Sequence, residues 1–191
     1  MSSRKLEASY VVFTAQVGAH AYARRAALRH TASPELLVEL GLTAILGRVV
    51  KDRRKAVQEH FERIGRQIRR QGFVDLVSAF EADLFHLMGM ATSKARHVLK
   101  QHYDAAYPFA DHRDLLARTP SDIANLGGYR RLLAMPARAG SDPRCDLWDI
   151  IAYRDYLAHG ERWAFPADPP TIAFAYRVLS EEIRRVEAVA R

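Results

Sequence analysis

A single cysteine, Cys145, stands in a chain of 191 residues. One thiol cannot close an internal disulfide, and it cannot build a thiolate metal site. No run approaches the ~20 consecutive apolar residues that span a bilayer. The apolar stretch Tyr10 to Ala15, near the basic Arg4 and Lys5, is too short for the centre of a secretory signal. The expectation is therefore a cytoplasmic protein with no membrane partner. Period-2 alternation is missing too, which speaks against a sheet, and there is no internal repeat or low-complexity tract. His97 and His102 are five residues apart, the wrong spacing for two ligands on one helix face, so no metal is expected. The carboxylates form no pair of the glycosidase or two-metal kind, and Gly127-Gly128-Tyr129-Arg130-Arg131 lacks Walker spacing and reads as a solvated turn.

What is present is an ordinary globular composition, 49% hydrophobic and 27% charged, which excludes disorder as the default. Lys+Arg exceed Asp+Glu by 29 to 22, a net charge of +7 that favours polyanionic partners without choosing among RNA, DNA and acidic lipid. The surplus is concentrated. Residues 48–70 hold nine Lys/Arg and three Asp/Glu, so 9 − 3 = +6. Arg48, Lys51, Lys55, Arg66, Arg69 and Arg70 share one arc of a helical wheel and are candidates for RNA-backbone contact.

The apolar period is helical nearly throughout. It predicts a first helix over 5–30, closed by Thr31-Ala32-Ser33-Pro34. A second helix is expected from the Ser33 N-cap and Pro34 to about Arg70, with Leu42, Leu46, Val49, Val50, Val57, Phe61, Ile64 and Ile68 on its apolar arc. Gln71-Gly72 reads as a break. The third helix, 73–103, has a stripe at Phe73, Val77, Phe80, Leu84, Leu87, Met88 and Ala91. Residues 108–142 read as an irregular insertion of short helices. Asp142-Pro143 opens a helix that ends at Gly160 and is apolar almost all round, and Thr171 to Ala190 forms the last, amphipathic helix. The predicted architecture is an all-α, up-and-down bundle with extra short helices, most simply one domain.

Within the penultimate helix, Tyr153-Arg154-Asp155-Tyr156-Leu157-Ala158-His159-Gly160 carries the chemistry. Arg154 offers a planar, permanently charged fork suited to phosphate oxygens, and His159 an imidazole suited to proton transfer near neutrality. Asp155 precedes His159 by one turn and is placed to orient its ring. Arg154 lies about 140° round the helix from that stripe, so its head group must curl across, or the groups must meet through a partner subunit. Arg53 and His60, inside the apolar arc of the second helix, read as a snorkelling arginine and a partnered histidine.

The same octapeptide resembles the signature of the HEPN superfamily: Arg, a polar residue, three variable positions and His, often followed by Gly or Asn. Ala79-Phe80-Glu81-Ala82-Asp83-Leu84 resembles the Phe-Glu-x-x-Leu pattern of HEPN groups regarded as ribonucleases. The resemblance covers about residues 35–190, with 1–33 as an N-terminal helix extension and 108–142 as an insertion in a single HEPN-like domain. It implies a homodimer whose motifs face a shared cleft, and a metal-independent endoribonuclease without cofactor. Such an enzyme would be a toxin of a toxin–antitoxin or antiviral defence system, with an antitoxin or defence partner. By resemblance, His159 is general acid or base, Arg154 stabilises charge on the phosphate, Asp155 orients His159, and Glu81 and Tyr153 line the site. The products would carry 2′,3′-cyclic phosphate and 5′-hydroxyl ends. The alternative is a non-catalytic HEPN-like module for RNA binding or assembly; a third reading is a plain helical interaction protein.

Overall fold

The computed structural model describes residues 4–47, 49–102, 144–160 and 168–190, and every regular element among them is helical. The protein is an all-α helical bundle. In chain order the elements are α1 (Arg4–Arg29), α2 (Pro34–Glu39), a 3₁₀ turn (Thr43–Ile45), α3 (Val50–His102), α4 (Arg144–Ala158) and α5 (Ile172–Ala190). Contacts group the chain into two compact units, Glu7–Asp75 and Met1–Leu6 with Leu76–Arg191, so α3 contributes to both. The insertion expected at 108–142 lies outside the described residues.

In the Glu7–Asp75 unit the expected second helix is two elements. Ser33 does take the N-cap position with extended backbone, and Pro34 opens α2, but the Ser33 hydroxyl donates to Glu35 instead of capping the helix. Six residues later α2 ends. Gly41 adopts φ +69°, the left-handed conformation that costs glycine nothing. The Leu42 N–H then bonds the Leu37 carbonyl at 2.7 Å, and the Gly41 N–H bonds Val38 at 2.9 Å. That is the Schellman arrangement, and its usual apolar contact is available because Leu37 and Leu42 are buried in one cluster with Ala27, Ile45, Ala56, Val57 and Phe61. Leu42 is thus a core residue of the turn, not of a helical arc, and Val49, expected inside, is 73% exposed. Arg53 is tied back to this turn by an Nη2 bond to the Leu46 carbonyl, 2.7 Å.

Gly72 does not break the helix. α3 runs through it for 53 residues because the glycine is used for packing. A Cβ at 72 would overlap the Phe13 ring of α1, and one at 65 would meet the His20 ring at 3.1 Å. Phe13 and His20 are seven residues apart, as are Gly65 and Gly72, in reversed order, so α1 and this half of α3 run antiparallel with rings set into glycine gaps. His20 also bonds the Phe61 carbonyl through Nε2 at 2.8 Å. Gly72→Ala is expected to destabilise by about 1–2 kcal/mol, because overpacking outweighs the ~1 kcal/mol that alanine gains over glycine inside a helix. Gly65→Ala should be near neutral, since a shift of a few tenths of an ångström relieves the 3.1 Å contact with the His20 ring and the helix gain of alanine offsets it. Urea unfolding of both variants checks the contrast; equal stability would remove the packing account.

In the other unit, Phe80, Leu76 and Val77 of α3, Ile150 and Ile151 of α4, and Ala175, Leu179 and Ile183 of α5 are all essentially fully buried. The stripe expected on 73–103 holds for Phe73, Val77, Phe80, Leu84 and Leu87; the side chains of Met88 and Ala91 lie outside the described residues. Two termini are fixed by single polar contacts. The Asp83 carboxylate accepts the Leu6 N–H at 3.0 Å, satisfying a first-turn donor of α1 from a distant helix. Thr171 is the N-cap of α5, its hydroxyl accepting the Phe174 N–H at 3.2 Å.

α4 corrects one more expectation. It is apolar on one face only: Leu147, Ile150, Ile151 and Leu157 are buried, whereas Trp148 is 38% exposed and Ala152 faces solvent. Trp148 therefore belongs to the outer side, and the buried face is the one that contains Arg154.

Candidate functional site

Arg154 falls within about 60° of each of Leu147, Ile150, Ile151 and Leu157 on the α4 wheel. A guanidinium at the centre of an apolar stripe needs a counter-charge, because burying an ion without a partner is strongly unfavourable. Glu81 supplies it. On α3 Glu81 shares a stripe with Val77, Phe80 and Leu84, all buried, and its carboxylate accepts from Arg154 Nη2. Arg154 Nη1 lies 3.3 Å from the Asp155 carboxylate. The three side chains are about one-fifth exposed (21% for Arg154, 20% for Glu81, 23% for Asp155), so the cluster is half-buried.

His159 is exposed at the end of α4. Its N–H still bonds the Asp155 carbonyl at 3.0 Å, and Gly160 follows with φ +78°, its N–H bonded to Leu157. Glycine at this position ends the helix as the sequence predicts, leaving the imidazole at its C-terminal end. On the wheel Asp155 lies about 40° from His159 and about 100° from Arg154, so it stands between them. The guanidinium turns to α3, where it meets Glu81, and within the motif it also contacts Asp155.

Tyr153 is half-buried and stacks on Tyr156, ring centroids 6.0 Å apart and planes 21° from parallel. Tyr156 had no assigned role in the sequence; the i, i+3 spacing of two tyrosines beside the arginine is the signal that points to it.

The basic residues belong to the Glu7–Asp75 unit. Lys55, Arg66, Arg69 and Arg70 are exposed on α3, Lys55 with Glu59 at 4.0 Å; Arg48 and the Lys51 side chain lie outside the described residues. His60 packs edge-on against Phe61 and accepts from Arg63, and partial burial, then the Arg63 charge, hold its imidazole below the ordinary value. Arg53 and His60 are thus both engaged in local structure.

Among the described residues no group of three or more His, Cys, Asp or Glu side chains is placed to hold a metal ion, and no helix is long and apolar enough to cross a membrane. The arrangement can bind an oxyanion through Arg154 and exchange a proton through His159. No family model, curated protein or solved structure matches this chain.

Proposed function

We propose that the protein is a metal-independent endoribonuclease of HEPN type. The observation that supports the reading is the meeting of Glu81 with Arg154 across 73 residues of sequence. The Phe-Glu patch and the Arg-x4-His motif both carry the HEPN resemblance, and their charged members Glu81, Arg154 and Asp155 form one cluster on the helix that ends in the exposed His159.

In this reading His159 takes the proton from the ribose 2′-hydroxyl or returns one to the 5′-oxygen leaving group. Arg154 offsets charge that accumulates on the phosphate oxygens. Asp155 touches the guanidinium and is near enough on the helix to orient His159. The 2′-oxygen attacks phosphorus as the P–O5′ bond breaks, giving 2′,3′-cyclic phosphate and 5′-hydroxyl ends. A homodimer that sets two such motifs in one cleft, and a role as a toxin of a toxin–antitoxin or antiviral system, belong to the same proposal. The test is to incubate purified protein with RNA in EDTA and map the new 3′ ends. Cyclic phosphate termini support the proposal; cleavage equally fast in the Arg154→Ala, His159→Ala double variant ends it.

The pairing of one guanidinium with two carboxylates favours a second reading, a HEPN-like module that binds RNA or assembles without cutting it. Gel shifts without products would select it. Under either reading the exposed Lys55, Arg66, Arg69 and Arg70 are expected to contact the RNA backbone. Four such contacts predict an affinity loss of roughly tenfold or more between 50 and 200 mM salt. A flat salt response would remove these residues from the interface.

A further inference from the structure

Arg154 is the group that would meet a phosphate, yet in the free protein it is held by carboxylates. Among the described residues two carboxylates, those of Glu81 and Asp155, face its positive charge before any ligand arrives. A phosphodiester brings a further negative charge into the same space. The two carboxylates differ in kind. Asp155 is the next residue on α4, so its contact with Arg154 is local and moves with the helix. Glu81 comes from α3, on a stripe packed into the core, and engages Nη2 from outside α4.

We infer that Glu81 is an internal competitor for the phosphate-binding face of Arg154, a built-in anion that RNA must displace before the site can form. This deepens the proposed function and rests on its reading of Arg154 as the phosphate group's partner. The physical basis is that a carboxylate and a phosphate oxygen seek the same N–H fork and repel one another at contact distance. The Arg154 side chain as a whole is about one-fifth exposed and its Nε is buried, so an anion that takes Nη2 must exchange for Glu81. Such exchange would set a threshold for RNA affinity and disfavour weakly bound anions such as inorganic phosphate.

The experiment measures binding, not cutting. The probe is a fluorescent single-stranded oligonucleotide with 2′-O-methyl riboses, which lacks the attacking hydroxyl, read by anisotropy at fixed salt. Glu81→Gln keeps the shape and an acceptor oxygen while removing the charge. It is expected to bind the probe about tenfold more tightly than wild type, and adding Arg154→Ala should erase the gain. A merely structural role for Glu81 would instead weaken binding in Glu81→Gln. Unchanged or weaker binding, or no binding by any variant, overturns the inference. Should Glu81→Gln not fold, Glu81→Asp makes the same test, since the shorter side chain draws the charge back by one methylene. Tighter binding by these variants with no RNA cut would leave this inference standing and end the nuclease reading. RNA cutting without any gain in binding would end the inference alone.

Discussion

Under the proposed ribonuclease activity, His159→Ala is expected to lower metal-independent RNA cleavage by about a hundredfold or more while leaving the melting temperature almost unchanged. The two halves of that expectation come from different observations. Loss of a general acid or base removes about 10²–10⁴ in rate. The imidazole is exposed at a helix end that Gly160 closes with its own backbone bond, so truncating it removes little buried area. Arg154→Ala should lower the rate by a similar factor, but it is not a clean probe of chemistry. It strands Glu81, four-fifths covered, without the cation that matches it, and a loss of stability of about 1–3 kcal/mol should accompany it. Arg154→Lys separates the effects: the charge remains, the planar fork does not, and the rate should stay low while much of the stability returns. Measuring cleavage rate and thermal unfolding on the three variants is decisive. A folded His159→Ala protein with wild-type cleavage would remove His159 from the mechanism.

Phe80→Ala is the substitution expected to harm the fold most. Its ring is fully buried on the α3 stripe, next in sequence to Glu81. Truncating a buried phenylalanine removes apolar burial and leaves a cavity, together about 3–5 kcal/mol. That is a large part of the 5–15 kcal/mol that stabilises a typical domain. The loss should appear as a lowered urea midpoint, with Ser78→Ala on the exposed side of the same turn as an unaffected control. Because Phe80 fixes the rotation of α3 that presents Glu81, Phe80→Leu should retain most of the stability and keep the pair with Arg154. A Phe80→Ala loss below about 1 kcal/mol would contradict the burial described for this ring.

Several elements were legible in the chain because their causes are local. Pro34, Thr171 and Gly160 mark helix ends through φ restriction, side-chain capping and the left-handed turn, and each does so in the structure. On the α5 stripe expected at Ile172, Ala175, Tyr176, Leu179, Ile183 and Val186, Ile172, Ala175, Leu179 and Ile183 are buried and Tyr176 and Val186 are half-buried. Where the reading failed, two local signals competed. Gly41 lies inside the apolar period expected to continue to Arg70, yet it ends the helix with a positive φ, and Leu37 and Leu42 are buried in one cluster beside it. Gly72 announced a break, and there the structure sides with the period, because Phe13 fills the space that the missing side chain leaves. A glycine in a helical pattern has opposite meanings according to what packs on it.

The chain alone determined that the protein is helical and where most of its amphipathic stretches lie. Those properties depend on backbone preferences and on spacing within a few turns. Only the tertiary structure decided that Arg154 faces inward to Glu81, with His159 on the outer side of the same helix. Rotation of α4 about its own axis relative to α3 is fixed by how their apolar faces interlock. A spacing of 73 residues carries no record of that angle, although two lone charges on otherwise apolar stripes mark where it had to bring them together.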